Sequence, residues 1–320
     1  MTTGTQREVV IGTRGSDLAM AQTLAVQQAL IRAHPQLRCR IETIHTRGDR
    51  DTARSIRAMG GVGVFTRELE LALIEGRIDL AVHSLKDMPT QQDDGLCLAA
   101  AVPEREDPSD VIVTRDGRAM VLLPQGAKVG TSSLRRRAQL AALRGDLQLT
   151  DIRGNVDTRL KKVRDGLYDA VVLARAGLAR LGMLSRAMEV LGPDRMLPAP
   201  GQGALGLEIR RQDSRLADLL APLDHRPSRL AVTAEREFLR HVEGGCHAPV
   251  AAWGRLTSAE TLTLTGLVVR CDGTRIVRRD ISGPADQAID LARQLGDEVL
   301  DAGGREILTS LARDGDVGTA

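Results

Sequence analysis

The sequence predicts an α/β protein in two parts, followed by a smaller α+β end domain. Three observations carry this. A strand–turn–helix unit recurs through the first two hundred residues. Two proline-rich stretches interrupt it, Pro103-Glu104-Arg105-Glu106-Asp107-Pro108 and Leu197-Pro198-Ala199-Pro200-Gly201-Gln202-Gly203. And 320 residues are too many for one ordinary hydrophobic core.

Val9-Val10-Ile11-Gly12-Thr13 reads as a short buried strand, and Ser16 as the N-cap of a helix through Leu18, Ala19, Gln22, Leu24, Ala25 and Leu30. A strand running into a helix N-terminus favours an anion, and Arg14 and Ser16 stand at that junction with Gln22 further along the helix. Residues 38–46 alternate loosely and lead into a charged, glycine-bearing loop that ends where a helix opens near Phe65-Thr66-Arg67. The loop is no P-loop, since no Gly-Lys-Ser/Thr follows it. Ile78-Asp79-Leu80-Ala81-Val82 is the next core strand. It runs into His83-Ser84-Leu85-Lys86-Asp87-Met88-Pro89, which places Ser84, Lys86 and Asp87 beyond a strand's carboxyl end, where open α/β sheets bind their ligands.

After a strand over 96–102 and the first proline boundary, the pattern restarts with Val111-Ile112-Val113 and Lys128-Val129-Gly130. The segment Thr131-Ser132-Ser133-Leu134-Arg135-Arg136-Arg137 offers N-cap hydroxyls, then puts cations in the first turn of a helix. Cations there oppose the helix dipole, and a bound anion would resolve the conflict. Residues 147–153 form a strand ending in Arg153, with Arg159 in the helix that follows; residues 170–174 form another, leading to Gly177 and Arg180. Each strand thus delivers guanidinium groups, the forks that read carboxylates bidentately. Gly201, Gly203 and Gly206 spell GxGxxG, but prolines precede the run and a strand follows it, so a dinucleotide site is discounted. Helices over 213–220 and 228–241 lead to Glu243-Gly244-Gly245-Cys246-His247-Ala248-Pro249, a turn that presents a thiol. Strands over 250–255, 262–269 and 276–281 and a helix over 285–302 complete the end domain.

Composition excludes several function classes. Lys plus Arg number 44 against 42 for Asp plus Glu, a net charge of +2, and one Trp, one Tyr and two Phe leave few rings for base stacking, so no nucleic-acid partner is expected. No apolar run approaches a membrane span and the N-terminus is polar, so a cytoplasmic protein without membrane association is expected. The four cysteines, Cys39, Cys97, Cys246 and Cys271, show no CxxC pairing, which fits neither a disulfide framework nor a zinc site; no metal is expected. No internal repeat is visible, and the absence of a long apolar surface stripe points to a monomer.

Taken together, Thr13-Arg14-Gly15-Ser16, His83-Ser84-Leu85-Lys86-Asp87, Arg105-Glu106-Asp107-Pro108, Val129-Gly130-Thr131-Ser132-Ser133-Leu134-Arg135-Arg136, Gly201-Gln202-Gly203-Ala204 and Glu243-Gly244-Gly245-Cys246 closely resemble the porphobilinogen deaminase (hydroxymethylbilane synthase) family over nearly the whole chain. The resemblance implies two domains like type II periplasmic binding proteins and a small α+β C-terminal domain. Their boundaries are residues 1–103 with 201–221, residues 108–197, and residues 225–320. It implies a dipyrromethane cofactor held by thioether to Cys246, head-to-tail addition of four porphobilinogen molecules with loss of ammonia, and hydrolytic release of hydroxymethylbilane, which is passed to uroporphyrinogen-III synthase. Each pyrrole carries an acetate and a propionate, so the arginines gain counter-ions. Arg14, Ser16, Lys86, Ser133, Arg135, Arg136, Arg153, Arg159 and Arg180 match the carboxylate-binding positions and Gln22 a further cleft residue. Asp87 matches the catalytic aspartate, and Phe65, Ser84 and Gln202 belong to the cleft or its loop. The loop lysines common in the family are replaced by Ala58 and Val62, with Arg54 or Arg57 near enough in sequence to supply the charge. Two readings compete: a two-lobed carboxylate-binding module without catalysis, which would need neither Asp87 nor the Gly-Gly-Cys turn, and a cysteine hydrolase using His247, whose position next to Cys246 makes the pair point apart.

Overall fold

A computed structural model describes residues 8–45, 66–184, 188–243 and 248–316. The expectations placed on Phe65, on the loop residues Arg54, Arg57, Ala58 and Val62, and on Cys246 lie outside the described residues. The chain divides into two compact units, Met1–Glu106 with Ala204–Arg229, and Asp107–Gly203 with Leu230–Ala320.

In the first unit, β1 (Val9–Arg14) pairs in parallel with β2 (Cys39–Ile44) on one side and β3 (Leu80–Ser84) on the other. Between them run α1 (Asp17–Ala33), whose N-cap Ser16 accepts from the Ala19 amide as the sequence predicts, and α2 (Arg67–Ile74). The core follows from the apolar strands and the inner faces of the helices: Ile11, Leu80, Leu30, Leu69 and Leu73 have no exposed surface, each contributing about 1.5–3 kcal/mol by leaving water. A short strand, β4 (Leu96–Leu98), ends this stretch.

The second unit repeats the scheme with β5 (Asp110–Thr114), β6 (Lys128–Gly130), α3 (Leu134–Leu143), β7 (Gln148–Thr150), α4 (Val156–Arg164), β8 (Ala170–Ala174), α5 (Arg175–Arg180) and β9 (Met188–Leu191). Its sheet order is β7-β6-β8-β5-β9, with β6 parallel to β7 and β8, and β5 antiparallel to β8 and β9. The edge strand β9 was not anticipated. Beyond the second proline stretch, β10 (Leu205–Arg210) joins the first unit's sheet, antiparallel to β3 and β4, giving the order β2-β1-β3-β10-β4. The two orders correspond strand for strand, as two domains of one fold should. A structural repeat in strand order and direction therefore exists where no internal repeat is visible in the sequence.

α6 (Ser214–Leu220) follows, then α7 (Arg226–His241), and an antiparallel sheet of β11 (Val250–Leu256), β12 (Thr261–Val269) and β13 (Ile276–Pro284). The helix expected over 285–302 is interrupted. A 3-10 turn precedes α8 (Ala288–Val299), a π segment covers Leu300–Gly304 with Gly303 at φ 106°, and α9 (Arg305–Asp316) resumes the helix. The Gly303-Gly304 pair permits the break. A hydrophobic cluster around Phe238, Leu264, Val268, Leu295 and Val299 joins α7 and α8 to this sheet.

Glu237 of α7 clamps the same seam from outside, accepting from Arg240 at 2.6 and 2.8 Å and from Arg293 of α8 at 2.6 Å. The Arg240 hydrogen bonds, aided by Arg293 and opposed by partial burial, pull its carboxyl down to about 2. A folded pKa below the unfolded value of about 4.3 means stability that is present above that pH and lost as pH falls through the folded value. Glu237→Gln is therefore expected to cost about 0.5–1 kcal/mol at neutral pH, the scale of a half-exposed ion-pair network. Urea titrations should show the gap to wild type closing as pH falls through the acid range toward about 2.

Candidate active site

In the first unit the candidate residues collect at the carboxyl ends of β1 and β3, adjacent parallel strands. Arg14 is the last residue of β1, and Ser16 spends its hydroxyl on the cap of α1. Gln22, 3% exposed, reaches from α1 to the end of β3, where its Nε2 donates to Ser84 Oγ at 2.9 Å. These two residues are thus spent largely on each other and brace the strand end. Leu85–Asp87 forms a single 3-10 turn, held by a hydrogen bond from the Leu85 amide to the Ala204 carbonyl and by the buried side chains of Leu85 and Met88. The turn leaves Lys86 half-buried and Asp87 exposed.

Sequence reasoning passed over a pair beside this turn. His83 Nε2 and Glu208 Oε2 lie 3.0 Å apart, both buried, bridging β3 and β10. Each sits among buried apolar residues of its strand, and such groups need a partner. That was the available signal. Burial also pushes the Glu70 carboxyl of α2 up from its ordinary value, with the charge of Glu208 adding to it.

In the second unit Ser133 caps α3, accepting from the Arg136 amide at 3.4 Å. Arg135 and Arg136 are 4% and 7% exposed, and the counter-charge their position demands is supplied by the fold itself. Asp110, wholly buried at the head of β5, lies 2.8 Å from Arg135 Nη1 through Oδ2; its Oδ1 accepts from Arg136 Nη2 at 2.7 Å and Nε at 3.1 Å. Burial alone would raise the Asp110 pKa; the two guanidiniums outweigh it and hold the carboxyl well below the usual range. The sequence points to a bound anion as the group that would resolve the dipole conflict; the fold already places one internal carboxylate, Asp110, against both arginines. Gln202, with no exposed surface, donates to Asp110 Oδ1 at 2.9 Å and to the Pro108 carbonyl at 2.6 Å, so it supports the arginines from behind.

Of the remaining arginines, Arg153 lies in the turn after β7, Arg159 in α4, and Arg180 in the helix that follows β8. Gly154, at φ 105°, makes the turn after Arg153, and a Cβ there would lie 2.5 Å from Thr158 Cγ2, so only glycine fits. Arg159 Nε donates to the Gly154 carbonyl at 2.8 Å and Lys162 Nζ to the Arg153 carbonyl at 3.0 Å, clamping that turn to α4, whose N-cap is Asn155. Arg180, the last residue of α5, donates to the Gly203 carbonyl at 2.6 Å. In both units, then, the polar candidates lie at the carboxyl ends of the parallel strands or in the turns and helices that follow them. Among the described residues no group of acidic, histidine and cysteine side chains could hold a metal ion, and no helix is long and apolar enough to cross a membrane.

Comparison with known proteins follows the same lines. The model described as "Porphobilinogen deaminase, dipyromethane cofactor binding domain" matches residues 9–218, and that of the "Porphobilinogen deaminase, C-terminal domain" matches residues 229–301. A porphobilinogen deaminase from Roseiflexus sp. (strain RS-1) is 50% identical over 303 residues, covering 95% of this chain and 99% of its own. Those from Thermus thermophilus and Syntrophobacter fumaroxidans are 47% and 44% identical, covering 95% and 97% of this chain and 99% of theirs. Among solved structures, the sulfate-bound regulatory domain of a mutant OxyR2 from Vibrio vulnificus aligns with 70% of this chain and 99% of its own at 16% identity, with a TM-score of 0.42. Because two family models span most of the sequence and full-length relatives share nearly half of it, the chain belongs to the porphobilinogen deaminase (hydroxymethylbilane synthase) family, transferases with a dipyrromethane cofactor.

Proposed function

We propose that this chain joins four porphobilinogen molecules head to tail on a dipyrromethane carried by Cys246, with Asp87 as the catalytic carboxylate and the strand-end cations as the carboxylate grip. The observation that carries this reading is the exposed Asp87 on a turn anchored by buried neighbours, at the same strand ends as Arg14 and Lys86.

The residues present fit the cofactor. Its two rings carry four carboxylates, and the donor set is that of carboxylate binding: Arg14, Ser16 and Lys86 in one unit, Ser133, Arg135, Arg136, Arg153, Arg159 and Arg180 in the other. Arg135 also keeps a buried Nε with no hydrogen-bond partner, an unused donor beside its Asp110 contact. When bound, the dipyrromethane supplies the free pyrrole α-carbon to which the first substrate is joined. The chain's own residues do the rest. Guanidiniums pair with acetate and propionate oxygens and fix each ring's orientation. Asp87 carries a proton toward the departing amine, then, as carboxylate, stabilises the positive charge left on the substrate. At each addition one carbon–carbon bond forms, one carbon–nitrogen bond breaks, and ammonia and the α-carbon proton leave.

Gln22, Ser84 and Gln202 serve this site by bracing it. Phe65 matches the loop phenylalanine of the family. The chain has three domains, residues 1–103 with 201–221, 108–197 and 225–320, and works in the cytoplasm as a monomer. Its linear product passes to uroporphyrinogen-III synthase.

The test is the intact mass of the purified protein beside a Cys246→Ser variant. The first is expected to exceed its sequence mass by two linked pyrroles and the second to match its sequence mass. A bare mass that stays bare after incubation with porphobilinogen would instead support the carboxylate-binding module without catalysis.

A further inference from the structure

Arg135 and Arg136 are adjacent in sequence, nearly wholly buried, and face one carboxylate. The cluster therefore carries one positive charge more than it neutralises internally, in surroundings where charges are weakly screened. Without Asp110, two neighbouring guanidiniums would repel and splay. With it, both are tied to a single point, and their remaining groups are fixed by backbone carbonyls. Arg136 Nη1 donates to Val172 O at 3.0 Å, and Arg135 Nη1 to Leu197 O at 2.6 Å. Leu197 is in turn held by both ends of the Gln139 amide, at 2.7 and 3.0 Å. Asp110 is itself held by Gln202, which also grips Pro108. The result is a held pair of cations that carries one charge more than Asp110 neutralises, with the buried Arg135 Nε left as a donor without a hydrogen-bond partner.

We infer that Asp110 is a positioning residue for ligand binding: it aims the Arg135–Arg136 pair at the carboxylates of cofactor and substrate, and Gln202 fixes Asp110 in turn. This rests on the reading of Arg136 as a carboxylate-binding residue. It adds a residue that matches no ligand-contacting position in the sequence motifs and gives the buried carboxylate a function beyond stability.

The experiment is a double-mutant cycle of Asp110→Asn and Arg136→Met, read as the rate at which apo-protein gains the two-pyrrole mass on incubation with porphobilinogen. Only protein that melts cooperatively is counted. Each single variant is expected to load about 10-fold or more slowly, the scale of one charge-assisted hydrogen-bonding arrangement. The double variant is expected to load within about 2-fold of Arg136→Met alone, because Asp110 has nothing left to aim. Loading of Asp110→Asn at the wild-type rate overturns the inference. So does a double variant slowed by the product of the two single effects, which is what a merely structural aspartate would give. Wild-type loading by Arg136→Met sinks the underlying reading of that arginine instead, and the inference with it. If Asp110→Asn does not fold, Gln202→Ala takes its place in the cycle. That change leaves the charge and removes one of its supports, with an expected slowing of about 3-fold; unchanged loading then overturns the inference.

Discussion

Replacing Asp87 with alanine is expected to cut porphobilinogen consumption by about 10²- to 10⁴-fold, the usual contribution of a positioned acid–base group, while stability stays within about 0.5 kcal/mol of wild type. The separation follows from the turn. Leu85 and Met88 are 2% and 1% exposed and hold Leu85–Asp87 in place, whereas the Asp87 side chain points away from that packing and is exposed. Removing its carboxyl therefore takes away chemistry and little else. Single-turnover ammonia release and urea denaturation on the same preparation check both halves. A variant that kept more than half of wild-type turnover would remove Asp87 from the mechanism, and one that lost activity together with its melting transition would make it a structural residue.

Phe238→Ala is expected to be the most damaging core substitution in the C-terminal sheet, lowering unfolding free energy by about 3–5 kcal/mol. Phe238 has no exposed surface, and its ring lies so close to Gly266 of β12 that a Cβ at that glycine would stand 2.6 Å from Cε2 and Cζ. The ring packs over Gly266 beside Leu295, in space the glycine leaves open, so its loss leaves a cavity. Against a total of about 5–15 kcal/mol for a typical protein this is a large share. Thermal or denaturant unfolding would show it, and a transition indistinguishable from wild type would put Phe238 outside the core.

Local chemistry was legible in the sequence. Ser16 and Ser133 were readable as caps, β1, β3, β6 and β8 as buried strands, and the strand ends as the address of the arginines, since each depends on residues a few positions apart. What escaped depends on distant residues meeting. Asp110 stands 25 and 26 positions before the arginines it pairs with and 92 before Gln202. It looks like the polar end of a loop, although two adjacent arginines in a helix's first turn already called for an acidic partner. The His83–Glu208 pair is likewise separated by 125 positions. The return of β10 to the first unit came from family resemblance; periodicity shows that residues 205–210 are extended and says nothing of which sheet receives them. The break at Gly303-Gly304 was visible as two glycines, but the helical pattern on either side is continuous enough to hide it.

The late arrival of β10 also has a consequence for biosynthesis. Among the described residues β4 pairs in its sheet with β10 alone, and one edge of β3 waits for the same strand. A nascent chain that has emitted its first 106 residues must add the 97 residues from 107 to 203 before that strand begins to appear. At roughly 5–20 residues per second the interval is roughly 5–20 s. During it the central strand of the first sheet offers an unpaired edge, the kind of surface that recruits stray strands. The first part of this chain to be translated thus cannot complete its sheet until all five strands of the second unit's sheet have been translated, and it is the part that holds Asp87.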